Sequence, residues 1–359
     1  MKVLLSNRWL PKQLLNLTTG SSYGQNAKTK EIPIPQITPD EVLVRVRAVA
    51  LNPIDVKDID FLSPNNSVLG CDYAGIVTQV GQNMTNRWTI GDRIGGFVHG
   101  GQYPDVGSFA EYLKVDGDLA WRIPDSMDDS EAAVYGVPAV TAVLALLDLG
   151  VPWEGILDGE RENDKTPILI YSGSSSVGLF TIQLAKRAGL HVIATASPRS
   201  FDLVKRYGAD AVYDYRSPTA AREISTAYPT LSKAVDCFSE GTSTQFCADV
   251  MQSGRVITLF DKGVSKKSGV EYKSLMVFTV FGRPFSMLKP LGPVFPVRLE
   301  DRSVMSRFYA ALDRLCLDVR PPPIVARKGG FDFDVVLEEL DRLRKGEVSG
   351  KKLVVLLDK

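Results

Sequence analysis

ILIYSGSSSVGLFTIQLAKRAGLHVIATAS, residues 168–197, is the stretch that decides the fold. A short continuous apolar run ends at Tyr171 or Ser172, a turn of small residues runs from Gly173 to Ser176, and a helix opens at Val177–Gly178. A second apolar strand, 190–196, follows that helix. Small side chains at such a turn let a pyrophosphate approach backbone N–H groups at the positive end of the helix. Gly173 and Gly178 do not make the GxGxxG spacing, so the helix and the second strand carry most of the signal. A tight strand-to-helix turn without a ligand is the plainer alternative.

Downstream, residues 200–207 read as a helix and 211–214, 234–238 and 255–260 as strands, an alternation that points to a doubly wound parallel sheet. Upstream, EVLVRVRAVA, residues 41–50, puts Val42, Val44 and Val46 on one strand face and Arg45 and Arg47 on the other. Further strand-like pieces at 74–80, 93–98 and 109–115, parted by Gly, Pro and Asn turns, make a β-rich N-terminal region. Residues 126–150 fit two helices broken near Gly136–Pro138, 150–166 read as a loop, 301–318 and 336–345 as helices, and KKLVVLL as a final strand. That strand is placed to return to the N-terminal region. The expected division is 1–135 for the N-terminal part of a β-rich domain, 136–275 for a nucleotide-binding domain, and 276–359 for a C-terminal part whose last segments rejoin the first.

The composition agrees with a two-domain α/β protein. A chain of 359 residues can bury about three quarters of its unfolded surface. Its 42 Lys plus Arg balance 42 Asp plus Glu, so the overall charge suggests neither a nucleic-acid groove nor a polybasic membrane surface. The N-terminal apolar run is interrupted by polar residues and Pro11, and the apolar segment 132–149 by Pro138 and Asp148, so neither reads as a signal or a span. The expected setting is cytoplasmic. Four cysteines far apart, with no CxxC, give no disulfide scaffold or zinc knot. With only His99 and His191 as imidazoles, and neither beside another ligand, a catalytic zinc lacks its three protein donors. No metal site is expected.

At the nucleotide site, Ser172, Gly173, Ser174, Ser175, Ser176 and Val177 are the candidates for the pyrophosphate. A site that prefers NAD often has a carboxylate at the end of the second strand, where this chain has Ser197-Pro198-Arg199-Ser200. Ser197 offers a hydroxyl and Arg199 a charged fork to the 2′-phosphate of NADPH, with Tyr215 a third contact. A surface turn with a solvated arginine is the alternative. Thr141, with Tyr135, Gly136 and Val137, precedes the cofactor domain and is placed to approach a nicotinamide. In ALNPIDVK, residues 50–57, Asn52, Asp55 and Lys57 are the polar candidates for the catalytic side, Lys57 reaching a carbonyl or a ribose hydroxyl. Taken alone, this string reads more readily as an Asx turn before a short helix, and the cofactor segment downstream is what favours the catalytic reading. Phe281, Phe285 and Phe295 suit an apolar acyl pocket or simple core packing.

ALNPIDVK, LGCDYAGIV (69–77), GSFAEY (107–112), SGSSSVG (172–178), SPRSFDLVKRYGADAVYDYR (197–216), DCFSE (236–240) and VSGKKLVVL (348–356) together resemble the zinc-independent branch of the medium-chain dehydrogenase/reductase superfamily. Within it the chain is similar to fungal enoyl reductases of the lovastatin type, which act in trans on polyketide synthases. Zinc alcohol dehydrogenases begin their ligand set with a cysteine where this chain has Asn52, and carry Gly-His-Glu where it has Gly70-Cys71-Asp72. The resemblance implies a GroES-like catalytic domain, a Rossmann domain, and NADPH as hydride donor to the β-carbon of an α,β-unsaturated thioester. It also implies a partner, the acyl-carrier domain of a synthase, and a monomeric enzyme. Quinone or 2-alkenal reduction, and non-catalytic NADPH binding, are the competing readings.

Overall fold

The computed structural model describes residues 1–7, 26–159, 165–288 and 292–357. The interruption at Pro11 lies outside them. Two large sheets organise the chain.

The first is a seven-stranded sheet built around Glu41–Ala50. Val42, Val44 and Val46 are buried and Arg45 is exposed, but Leu43 and Val49 on the second face are buried as well, so the strand is covered on both sides for most of its length rather than half-buried. This strand pairs antiparallel with Asp72–Val80 and Tyr112–Asp116, and Arg93–Phe97 and Trp121–Arg122 extend the sheet on one side. On the other side the final strand, Lys352–Leu357, pairs antiparallel with it through residues 48–50, and Ile324–Gly329 adds a parallel edge.

The second sheet has six parallel strands. Numbered within the sheet by sequence, Pro167–Tyr171, His191–Ala196, Ala211–Asp214, Lys233–Asp236, Gly254–Thr258 and Val270–Ser274 lie in the order 3-2-1-4-5-6. This is the doubly wound dinucleotide-binding order, and its ligand crevice lies where the order reverses, at the carboxyl ends of Pro167–Tyr171 and Lys233–Asp236. The protein is thus an α/β fold that combines a β-rich GroES-like sheet with a Rossmann-type sheet.

Between the sheets runs Val137–Asp148, buried from Pro138 to Leu146 and packed against the helix Ser176–Arg187. With the short turns before it, this stretch, Asp129–Asp148, has the length and apolarity of a membrane span, but it is largely buried inside the fold. An apolar helix packed on all sides is a core helix.

Several elements differ from the sequence reading. The strand expected at 109–115 is Tyr112–Asp116, and Trp153–Asp158 is a helix inside the stretch read as a loop. The helices Ala220–Ala227 and Ser243–Asp249 and the strands Val270–Ser274 and Ile324–Gly329 are additional. Glu271 and Lys273 interrupt the first of these strands and Arg327 and Lys328 the second, and both lie at sheet edges, where one neighbour holds them without an apolar run. The expected helix 301–318 is Leu299–Leu315.

Candidate active site

The turn after Pro167–Tyr171 is held by side chains of the turn and of the next strand. Ser172, a non-glycine residue at φ +59°, receives the Thr195 hydroxyl as acceptor for its N–H at 3.1 Å, and the Gly173 N–H donates to the Thr195 carbonyl at 2.8 Å. Ser175 caps the helix Ser176–Arg187, its hydroxyl accepting from the Gly178 N–H at 3.1 Å and donating to the Ser172 carbonyl at 2.8 Å. The helix therefore opens one residue earlier than its sequence signal. Ser174, Ser176 and Val177 are half-buried on the rim of the turn, and the N–H groups of Ser176 and Val177 have no carbonyl of their own helix within reach. A Cβ at Gly178 would stand 2.5 Å from the Ser172 carbonyl oxygen and 2.8 Å from the Gly173 Cα. Only glycine lets the helix lie this close to the turn. An amide-rich cradle at a helix N-terminus, with no carboxylate in it, fits a pyrophosphate.

At the end of His191–Ala196, Ser197 is half-buried and Arg199 exposed on the short turn Pro198–Ser200. A cleft of about 480 Å³ beside them is lined by Arg199, Arg206 and Lys351, among others. None of these three cations has an ion-pair partner among the described residues, whereas Arg342 and Glu347, which also line the cleft, face each other at 3.9 Å, so the cleft carries an excess of positive charge. Tyr215, 42% exposed, has its ring 6.0 Å from that of Tyr171, and the Arg216 guanidinium lies over it while pairing with Asp214. The arrangement fits an adenosine 2′-phosphate. Thr141 is buried in the first turns of Val137–Asp148. Tyr135 is buried with its hydroxyl donating to the Val319 carbonyl at 2.7 Å.

Asn52, Asp55 and Lys57 occupy the end of Glu41–Ala50 and the short helix Pro53–Lys57. The structure separates them. Asn52 and Asp55 are buried and bond to the chain itself: the Asn52 N–H donates to Asp55 at 2.7 Å, and the Asn52 amide to Asp72 at 2.9 Å. Lys352, from the final strand, donates to the Asn52 side-chain oxygen and lies 3.4 Å from Asp72, whose other oxygen accepts the Val137 N–H at 2.7 Å. One network thus joins the central strand, the final strand and the start of the interdomain helix. Lys352 was missed in the sequence, although two acids flanking a buried strand end call for a cation. Burial, then the neighbouring Asp72 charge, push the Asp55 carboxyl up to about 7.

Asp55, Asp58 and Cys71 each bring a ligand atom to within 4.8 Å of the others. Burial pushes the Asp58 carboxyl and the Cys71 thiol well up. Burial thus favours the protonated, uncharged forms of these three groups. Lys57 faces the crevice instead, with its ammonium 2.9 Å from Glu240 and 3.7 Å from the centre of the Phe260 ring.

His99 is buried and stacked on Phe278 at 4.0 Å, and burial holds its pKa down to about 3. Phe281 meets Phe97 edge-on at 5.1 Å, and Phe285 stacks on Phe295 at 4.7 Å, forming one aromatic cluster around His99. His191 lies between Tyr228 and Asp210.

The two sheets and the crevice define a nicotinamide-dependent oxidoreductase of the medium-chain dehydrogenase/reductase superfamily. Residues 38–125 match the alcohol dehydrogenase GroES-like domain and residues 176–278 the zinc-binding dehydrogenase family. The chain is 35% identical to trans-enoyl reductase caaB of Aspergillus niger, covering 92% of this chain and 94% of that one. It is 37% identical to trans-enoyl reductase resD of Aspergillus sclerotiorum, covering 92% and 97%. Among solved structures, the JamJ enoyl reductase superposes with a TM-score of 0.73 at 18% identity over all of both chains. The chain belongs to the fungal trans-enoyl reductases.

Proposed function

We propose that this protein reduces the α,β double bond of an acyl chain carried as a thioester on the acyl-carrier domain of a polyketide synthase. The observation that carries this reading is the match to trans-enoyl reductases across nine-tenths of both chains. Bound in the crevice, NADPH would supply the hydride that reaches the β-carbon. The turn Ser172–Val177 would hold the pyrophosphate, its open N–H groups at Ser176 and Val177 donating to it, while Ser197 and Arg199 would meet the 2′-phosphate and Tyr215 the adenine–ribose side. Thr141 lies along the nicotinamide end.

Negative charge develops on the thioester oxygen as hydride arrives, and a donor already in place there lowers the barrier. Lys57 is that donor, or holds the adjacent ribose hydroxyl. Asn52 and Asp55 act as positioning residues, fixing the strand end from which Lys57 projects. The α-carbon then takes up a proton that comes ultimately from solvent. The catalytic part is 1–135 completed by the last segments of 276–359, and 136–275 is the cofactor part. We take the enzyme to be a cytoplasmic monomer.

Loss of reduced-nicotinamide absorbance tests the reading, with enoyl thioesters, quinones and simple enones offered in parallel. Thioesters should turn over fastest, and faster still on a carrier domain. Rapid quinone turnover with none of the thioester would overturn the assignment in favour of a quinone reductase.

A further inference from the structure

Glu240 reaches across the crevice from the cofactor sheet to the N-terminal half. It sits on the loop that follows Lys233–Asp236, on the far side of the switch point from the pyrophosphate turn. Buried Asp236 organises this loop. One of its oxygens accepts the N–H groups of Phe238 at 3.1 Å and Ser239 at 2.8 Å, and the other the hydroxyls of Ser243 at 2.7 Å and Thr244 at 2.6 Å. Ser239 is thereby held at φ +56°, a conformation that a residue with a side chain adopts only when its surroundings impose it. Its hydroxyl donates to the Asp236 carbonyl at 2.9 Å and accepts the Leu259 N–H at 2.8 Å, tying the loop to the neighbouring strand end that carries Phe260. So fixed, the loop sets Glu240 against Lys57, 183 positions away in sequence, at 2.9 Å. The Phe260 ring stands under the same ammonium.

We propose that Glu240 is a positioning residue for the reductase reaction, setting the Lys57 ammonium in the crevice with Phe260 as its floor. An ammonium has three N–H donors. The carboxylate takes one and the ring face occupies a second direction, which leaves a donor for a ligand oxygen. The pair also joins the two halves of the molecule, so Lys57 is correctly placed only when the crevice is formed. This inference rests on the role given to Lys57.

Steady-state kinetics with NADPH and an enoyl thioester on Glu240→Ala, Glu240→Gln, Glu240→Asp, Lys57→Ala and the Lys57→Ala/Glu240→Ala double variant test it. Glu240→Ala and Glu240→Gln should lower kcat by about 3- to 10-fold with KM for NADPH within about twofold, and Glu240→Asp should recover most of the loss. In the Lys57→Ala background, Glu240→Ala should change nothing further. Wild-type kcat in the Glu240 variants, or a Glu240→Ala loss that persists without Lys57, overturns the proposal while leaving the Lys57 role intact. Wild-type turnover by Lys57→Ala removes that role, and the proposal with it. Glu240→Gln preserves side-chain size, so a folding defect confined to Glu240→Ala does not decide the outcome.

Discussion

Arg199 and His99 are opposite cases of a charged or chargeable side chain in this molecule. Arg199 is exposed beside a cleft it shares with Arg206 and Lys351, and has no carboxylate partner among the described residues. A guanidinium so placed is free to fork onto a phosphate. Arg199→Ala should therefore raise the Kd for NADPH by about 10-fold or more while leaving NADH within about twofold, read by quenching of protein fluorescence. His99 is enclosed by aromatic rings and resists protonation down to about pH 3, whereas the unfolded chain takes up that proton near 6.5. The unfolded state binds more protons through that window, so this group costs stability as pH falls from 6.5 towards 3, by about 1.4 kcal/mol per unit. His99→Phe should flatten that acid-side loss relative to the wild type in urea melts at pH 7 and pH 4.5. An equal slope in both proteins would show that His99 does not set it.

At the scale of elements, the strand–turn–helix at 167–187 was legible because each of its features is local. A short apolar run, a turn of small residues and an apolar-faced helix follow one another without a break. The helix end was misplaced by one residue because the Ser175 cap depends on Thr195 of the next strand fixing the turn below it. Gly178 shows how little room that geometry leaves. Gly178→Ala puts a methyl group against three backbone atoms that cannot swing aside. It should destabilise by about 1–3 kcal/mol and weaken NADPH binding together, measured by thermal melting and by titration of the cofactor. The edge strands Val270–Ser274 and Ile324–Gly329 escaped the sequence reading for the converse reason, since Glu271 and Lys273 break the apolar pattern of the first and Arg327 and Lys328 that of the second, and each is held by one legible neighbour.

Over the whole molecule, chain ends and middle are bound by a buried network that no local pattern announces. Lys352 comes from the last strand, Asn52 from the central strand, Asp72 from the strand beside it, and Val137 from the helix leading to the cofactor sheet. The candidates Asn52 and Asp55 were legible as a constellation, but their burial in this network was not. The side chain that faces the crevice, Lys57, meets a partner 183 residues away. Lys352→Met leaves Asp72 buried without its cation and should cost about 3 kcal/mol or more in chemical denaturation. Adding Asp72→Asn should return part of that loss, because a neutral amide needs no counter-charge.

The central claim is that hydride from NADPH ends on the β-carbon of an unsaturated acyl thioester. Incubating the enzyme with NADPH deuterated at the transferred position and an enoyl group on a carrier domain, then locating the label in the saturated acyl chain by mass spectrometry and NMR, tests this most directly. The account predicts one deuterium on the β-carbon and a solvent proton on the α-carbon. An unreduced acyl chain, or a saturated one with no deuterium on its β-carbon, would contradict it.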